Sequence, residues 1–170
     1  MKLSDFEAII KALNSAQVRY LVAGGLAVNA HGYVRLTMDV DLVIALEPGN
    51  IRQAFHAMAA IGYQPTVPVD AEAFAQADQR RDWRETKGMR VLNFFSDEHP
   101  LTSLDVFVEE PFDFSAELAL AHVDELRPGL EARFVSLPTL IRMKETAGRP
   151  KDLDDIQHLR WIQEDARGDE

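Results

Sequence analysis

The segment Asp39-Val40-Asp41 constrains this 170-residue chain most, because it places two carboxylates at the start of a mostly apolar strand, VDLVIAL. Residues i and i+2 of a strand point to the same face, with Cα atoms roughly 6.5–7 Å apart. Two carboxylates held this way repel each other unless a positive charge lies between them, and a hard divalent cation prefers oxygen ligands. Taken alone, the pair is also typical of a strand end beside a turn.

A third acid, Asp105, lies in a second predicted strand, LTSLDVFV (101–108). A charged group in an otherwise buried strand is costly unless it is paired or binds a metal. If the two strands are neighbours, three carboxylates converge, which is the ligand set of a two-metal phosphoryl or nucleotidyl transfer site. Taken alone, Asp105 is more typical of a strand end or a cap.

Gly24-Gly25 separates a predicted strand (18–23) from a predicted short helix (26–31). Free backbone N–H groups at a helix start attract anions, and glycine allows a phosphate to approach the backbone closely. A simple tight turn is the alternative. Neither the Walker motif nor the GxGxxG fingerprint is present.

The combination resembles the signature of the polymerase-β-like nucleotidyltransferase superfamily: Gly24-Gly25, a spacer of 13 residues, Asp39-Val40-Asp41-Leu42, and Asp105. The segments VAGGLAVNAHGYVRLTMDVDLVI and LIRMKETAGRPKDLDDIQHL are similar to small bacterial stand-alone domains related to AbiEii-type toxins and to lincosamide and aminoglycoside adenylyltransferases. The resemblance implies an α/β (α+β) nucleotidyltransferase fold, with a mixed central sheet flanked by helices and a helical C-terminus.

The resemblance also implies roles for individual residues. Asp39, Asp41 and Asp105 would bind Mg²⁺, with two ions when substrate is bound, and Asp105 would act as the base. Gly24 and Gly25 would cradle the triphosphate of an NTP substrate.

Four further residues are candidates for nucleotide binding. Arg35 and Thr37 precede the first acid, where a structural role is the alternative. Lys144 and Lys151 belong to a basic cluster with Arg142 and Arg149 at the junction of the last two predicted helices. Both lysines could neutralise a triphosphate. The alternative is surface charge or pairing with Asp152 or Asp155.

Hydrophobic periodicity predicts one domain over residues 1–163 and a frayed acidic tail over 164–170. Ser4 or Asp5 would cap the first helix, and Ser136 would cap a helix starting at 137. Residues 89–95 and 101–108 would pair as a hairpin. Trp83, Phe94 and Phe95 are expected in the core rather than as base-stacking platforms.

The formal charge of −10 is uneven, since residues 91–126 hold nine acids and no Lys or Arg. Such a chain is not expected to coat nucleic acid, which requires a basic face. The absence of cysteine excludes disulfides and thiolate metal sites and fits a reducing cytosol. No signal peptide or 18-residue apolar run is visible, so we expect a cytoplasmic protein without membrane contact.

The three acids and the glycine pair, taken with the resemblance, imply an enzyme that transfers a nucleoside monophosphate from an NTP to a hydroxyl of tRNA, protein or a small molecule. The resemblance adds a toxin–antitoxin component, with an antitoxin protein as partner, as one context. The main alternative is a catalytically inactive nucleotide-binding or partner-binding module of the same fold. A metal-dependent phosphohydrolase is a third reading.

Overall fold

Seven strands form one mixed sheet in the computed structural model, which describes residues 1–168. The helices are Leu3–Ser15 (α1), Gly24–Ala30 (α2), Pro48–Ala60 (α3), Ala71–Ala75 (α4), Ala77–Lys87 (α5), Phe114–Ala119 (α6), Leu137–Ala147 (α7) and Pro150–Gly168 (α8). The strands are Tyr20–Ala23 (β1), Asp39–Ile44 (β2), Gln64–Pro65 (β3), Val91–Phe95 (β4), Ser103–Phe107 (β5), His122–Arg127 (β6) and Leu130–Phe134 (β7).

The strand order is β3-β4-β5-β2-β1-β7-β6. β2 is parallel to β5 and β1 is parallel to β7, whereas the other neighbouring pairs are antiparallel. The predicted mixed sheet with a helical C-terminus is therefore confirmed, and so is the pairing of β4 with β5. The topology makes β2 and β5 direct neighbours.

The two faces of β4 and β5 have different surroundings, because side chains alternate along a strand. Leu92, Phe94, Leu104 and Val106 point to one face and are buried there. Phe55 of α3 covers this face, with its ring centroid 5.3 Å from that of Phe94. The opposite face of the same strands carries the polar residues described below.

The first helix buries an apolar stripe of Phe6, Ile9, Ile10 and Leu13, whereas Leu3 at its start is exposed. The capping prediction was wrong, because Lys2 occupies the N-cap and makes no side-chain capping bond. Asp5 is buried in the first turn.

Asp5 instead links α1 to the chain that precedes β5. Its carboxylate accepts a hydrogen bond of 2.7 Å from Thr102 Oγ1 and lies 2.9 Å from Nδ1 of His99. Burial alone would raise the pKa of Asp5, but the bonds to Thr102 and His99 hold the pKa below its usual value. The side chain is therefore a buried tie between distant segments and not a cap.

The hairpin of β6 and β7 was not anticipated from the sequence, which showed no β-branched run over 122–127. The residues of β6 alternate between half-buried and exposed positions, as expected for an edge strand with one covered face.

The start of α7 is held by a residue from another helix. Ser136 occupies the predicted N-cap position but makes no side-chain capping bond. Glu117 of α6 accepts hydrogen bonds from the Ser136 backbone N–H, at 2.6 Å, and from Thr139 Oγ1, at 2.7 Å. The buried carboxylate of Glu117 thus accepts from the N-cap backbone N–H, the donor that a Glu at N3 serves in a capping box, and from a hydroxyl in the first turn of α7.

The last helix extends further than the sequence indicated. α8 continues to Gly168, so residues 164–168 of the predicted frayed tail are helical, and residues 169–170 lie outside the described part of the chain. None of the helices within residues 1–168 combines the length and apolar character that crossing a membrane requires.

Candidate active site

The three predicted acids lie side by side on one face of the sheet. The parallel register of β2 and β5 sets Asp41 opposite Asp105 and Asp39 opposite Ser103. Paired residues of neighbouring strands share a face, so the side chains of Asp39, Asp41 and Asp105 project from the same side. Asp41 and Asp105 are direct neighbours because β2 and β5 are adjacent strands of the sheet.

Two neutral side chains hydrogen-bond these acids. Ser103 Oγ donates to Asp39 Oδ1 at 2.5 Å, and Asn93 Nδ2 donates to Asp105 Oδ1 at 2.7 Å. Sequence reasoning missed both residues. The available signal was the alternation of β4, in which Asn93 interrupts the apolar run MRVLNFF at a position that pairs with Asp105.

The acids are close enough to perturb each other. Burial raises the pKa of Asp41 to about 6, with further increases from Asp105 and Asp39 and partial compensation from Lys144 and Arg149. Burial also raises the pKa of Asp105, against the lowering effect of the Asn93 hydrogen bond, and Asp39 adds to the increase. Burial is thus the main cause of both raised pKa values, and repulsion between the acids adds to it.

The glycine pair packs directly against the acids. Gly24 is the first residue of α2 and has a positive φ of 62°. A Cβ atom at Gly24 would lie 1.9 Å from Asp41 Oδ2, and one at Gly25 would lie 2.6 Å from Thr37 Oγ1. Both positions therefore exclude a side chain, and the turn borders the carboxylate of Asp41.

The residues before β2 make structural contacts. The guanidinium of Arg35 forms two parallel bonds to Asp155 of α8, from Nε to Oδ1 at 2.6 Å and from Nη2 to Oδ2 at 2.8 Å. Thr37 packs beside Gly25, and its Oγ1 is 3.5 Å from the backbone oxygen of Asp39. The predicted phosphate-binding fork of Arg35 is thus engaged by a carboxylate.

The two predicted lysines have different environments. Lys144 is 4% exposed, and its Nζ lies 2.8 Å from Asp155 Oδ2 and 3.2 Å from Asp152 Oδ1. Its charge is therefore matched by the pairing that the sequence left open as the alternative. Lys151 is exposed on α8 and forms no ion pair within residues 1–168.

Arg149 completes this ion network. Its backbone N–H, Nε and Nη2 all donate to Asp152, at 3.1, 2.8 and 3.1 Å. Burial alone would raise the pKa of Asp152, but the hydrogen bonds from Arg149 and Lys144 hold it at about 2. Asp152 thus holds Lys144 and Arg149, and Asp155 also pairs with Lys144. Both cations act on Asp41, because the charges of Lys144 and Arg149 lower its pKa.

The donor set has the chemistry of a Mg²⁺ site, since it consists of carboxylate oxygens that repel each other. Within residues 1–168, however, no group of three or more His, Cys, Asp or Glu side chains is already arranged to hold a metal ion. The carboxylates instead face Ser103, Asn93 and the Gly24 turn. Binding a metal would therefore require these side chains to reorient.

The three aromatic residues that the sequence predicted for the core do not share one environment. Trp83 and Phe94 are buried, as expected. Phe95 is 41% exposed, and it projects from the same face as Asn93, two residues earlier on β4. The expectation that Phe95 belongs to the core was wrong.

No model of a known protein family matches the chain, and no curated protein matches its sequence. Solved structures do match. The lincosamide antibiotic adenylyltransferase LnuA, solved with lincomycin, superposes with a TM-score of 0.59 at 15% identity, over 91% of this chain and 93% of that one. ANT(2")-Ia, solved with adenylyl-2"-tobramycin, gives a TM-score of 0.55 at 14% identity, over 98% and 97%.

A third match is a proposed nucleotidyltransferase from Thermotoga maritima, with a TM-score of 0.57 at 13% identity over 95% of this chain and 92% of that one. The chain has the nucleotidyltransferase fold. Identities of 13–15% establish the fold alone, so the chemistry must be argued from the residues. In this nucleotidyltransferase fold, Asp41 lies between the glycine turn and the third acid.

Proposed function

We propose that the chain is a Mg²⁺-dependent nucleotidyltransferase that transfers a nucleoside monophosphate from an NTP to an acceptor hydroxyl and releases pyrophosphate. One observation carries the proposal. A single carboxylate, that of Asp41, borders the Gly24 turn on one side and faces Asp105 on the other. A phosphate support and a candidate base thus lie on either side of one metal-binding side chain.

Each residue has a role that its surroundings support. The turn at Gly24 and Gly25 packs so closely on Asp41 and Thr37 that no Cβ fits, which places its backbone beside the carboxylates, where it would support the phosphates. Asp39, Asp41 and Asp105 would hold Mg²⁺, and their mutual repulsion is the charge imbalance that a divalent cation offsets. Bound Mg²⁺ would stabilise the charge that develops on the transferred phosphate and on the leaving pyrophosphate.

The transfer itself is an in-line displacement at the α-phosphorus. The acceptor oxygen forms a bond to the α-phosphorus, and its proton passes to the Asp105 carboxylate. The bond from the α-phosphorus to the bridging oxygen breaks, and its electron pair leaves with pyrophosphate. The raised pKa of Asp105 supports this role, because a more basic carboxylate accepts a proton more readily.

The predicted nucleotide ligands divide into two groups. Lys151 is exposed and available to a triphosphate, whereas Lys144 and Arg35 are held by carboxylates. We assign Lys144 and Arg35 to the positioning of α8 and of the segment before β2. Their charges still act on the site through space.

The acceptor in this proposal is a small molecule. The LnuA and ANT(2")-Ia structures contain lincomycin and an adenylylated tobramycin, which favours a small molecule over tRNA or a protein. A toxin–antitoxin role with an antitoxin partner stays a prediction from sequence resemblance, as does a cytoplasmic location.

The test is incubation with Mg²⁺ and ATP, GTP, CTP or UTP labelled at the α-phosphate, in the presence of total tRNA or of whole lysate that retains its small molecules. We expect label in an acceptor together with released pyrophosphate. Asp41→Asn and Asp105→Asn should abolish transfer, whereas Asp78→Asn, at an exposed acid on α5, should not.

Two outcomes would contradict the proposal. Hydrolysed nucleotide without a labelled acceptor would indicate a phosphohydrolase. Saturable nucleotide binding without transfer to any acceptor would indicate the non-catalytic module.

A further inference from the structure

The carboxylates around the site are held by two kinds of hydrogen-bond donor. Asp152 and Asp155 of α8 accept from guanidinium and ammonium groups, whose charge offsets their own. Asp105 of β5 accepts from a neutral amide, because Nδ2 of Asn93 donates to its Oδ1 at 2.7 Å. The amide fixes this carboxylate without cancelling its charge.

Strand pairing and packing hold Asn93 in place. β4 is antiparallel to β5, and Asn93 pairs directly with Asp105. Its neighbours Leu92 and Phe94 are buried on the opposite face of β4, which directs the Asn93 side chain to the face of the acids. On the other side of β4, Thr66 donates its backbone N–H to the Asn93 carbonyl oxygen at 2.9 Å. The amide is therefore carried by backbone that is hydrogen-bonded on both sides.

The contact with Asn93 uses only one of the two carboxylate oxygens. Oδ1 of Asp105 is taken by the amide, whereas Oδ2 accepts no hydrogen bond in the part of the chain that the structure describes. A bond from an N–H to an ionised carboxylate is stronger than one between neutral groups, so it restricts rotation of the carboxylate. We infer that Asn93 is a positioning residue for the transfer, which orients Asp105 so that Oδ2 meets the acceptor hydroxyl.

The inference rests on the proposed function, in which Asp105 takes the proton of the acceptor. The acceptor O–H bond breaks, its proton moves to Oδ2, and its electron pair forms the new bond to the α-phosphorus. An arginine or a lysine in the place of Asn93 would hold the carboxylate but would offset the charge that Mg²⁺ and the proton require. An apolar side chain would leave the carboxylate to rotate. An amide supplies a donor without a charge.

The test uses two variants of Asn93 and a matched control. Asn93→Leu removes the donor at similar side-chain size, and Asn93→Asp keeps the shape but replaces the donor by a carboxylate. The control is Asn14→Leu, because Asn14 is also half-buried and donates a hydrogen bond of 2.8 Å, to the Glu131 carbonyl oxygen. Asn14 bonds Tyr20 at the start of β1, away from the acids at the other end of that strand.

Transfer is measured at saturating Mg²⁺–NTP with a fixed amount of the small-molecule fraction of a lysate. We expect Asn93→Leu to slow transfer roughly 10- to 100-fold, because the base is no longer held in its productive orientation. The affinity for Mg²⁺–NTP in calorimetry should stay at the wild-type value. Asn93→Asp should also slow transfer, yet it should bind Mg²⁺ alone more tightly, because it adds a carboxylate to the ligand set.

This opposite movement of transfer and metal affinity separates positioning from a structural role. Asn14→Leu should lower the free energy of unfolding and leave transfer unchanged. If Asn93→Leu does not fold, Asn93→Asp, which has the shape of the wild-type side chain, decides the question.

Three outcomes would overturn the inference. The first is transfer by Asn93→Leu or Asn93→Asp at the wild-type rate. The second is an equal loss of transfer and of Mg²⁺–NTP affinity in Asn93→Leu, which would make the amide part of the metal or nucleotide site. The third is an equal slowing of transfer by Asn14→Leu. Failure of the proposed function looks different, because the wild-type protein would then label no acceptor at all.

Discussion

Gly24 provides the sharpest test of the site, because the structure separates two costs of adding a side chain there. A Cβ at this position would lie 1.9 Å from Asp41 Oδ2, whereas ordinary contact begins at 3.4 Å. In Gly24→Ala, the carboxylate or the turn must therefore move by about 1.5 Å. The residue also has a φ of 62°, which costs a side chain about 1–2 kcal/mol.

Gly88 is the matched control. Its φ is 63°, but an added Cβ would meet no atom within 4 Å. Gly88→Ala should therefore lower the free energy of unfolding by about 1–2 kcal/mol through the backbone alone. Gly24→Ala should cost more, because it adds the collision with Asp41.

The functional consequence is measured as the affinity for Mg²⁺–NTP by calorimetry. A misplacement of about 1 Å in a catalytic group can cost roughly 100-fold in activity. We expect Gly24→Ala to weaken nucleotide binding at least tenfold and Gly88→Ala to leave it unchanged. Equal nucleotide affinity of the two variants would refute the placement of the triphosphate beside Gly24.

Three further predictions concern charge and folding. Without divalent ions, Asp41→Asn should stabilise the protein by up to about 3 kcal/mol at pH 8, because the native pKa of about 6 lies above the unfolded value and ionisation destabilises the native state. Urea unfolding should show this gain above pH 6 and its loss as the pH falls toward 4; a gain that persists at pH 4 would contradict the assignment. Thr102→Val should destabilise by about 1–3 kcal/mol, since Asp5 loses a buried hydrogen bond, and the cost should shrink only as the pH falls below the ordinary pKa of 3.8 and through the lowered native pKa of Asp5. Lys144→Met should cost about 1.5–3 kcal/mol in chemical denaturation, because Asp152 then keeps only Arg149 and Asp155 keeps only Arg35, and a loss below about 1 kcal/mol would favour a phosphate-binding lysine instead.

The placement of the acids was predictable because strand geometry is local. The two-residue period fixes Asp39 and Asp41 on one face, whatever the rest of the fold. Asp105 required one further step, the pairing of its strand with β2. The match to a known signature supplied that step, because no local rule determines which strands become neighbours.

The partners of the basic residues could not be predicted in the same way. Arg35 meets Asp155, 120 positions later, and the sequence around either residue does not identify the other. Lys144 was ambiguous for the same reason, since a cation near a triphosphate site and a cation in a buried ion network have the same local pattern. Burial decides between them, and burial is a property of the packed chain.

The orientation of Phe95 shows a third kind of difficulty. MRVLNFF reads as an apolar strand, and one exposed position in it is not visible from composition. The alternation of Leu92 and Phe94 with Asn93 determines which face is buried, so Asn93 was the signal that Phe95 shares its exposed face.

The charge around the site leads to a final prediction about metal removal. Five carboxylates border it, those of Asp39, Asp41, Asp105, Asp152 and Asp155, against the three cations Arg35, Lys144 and Arg149. Because the carboxylates of α8 already hold these cations, the surroundings present a net negative charge to a triphosphate. Two Mg²⁺ ions would add four positive charges and reverse the sign. We therefore expect a chelator to abolish NTP binding, and calorimetry that detects equally tight binding with and without chelator would show that the cations around the site bind the triphosphate on their own.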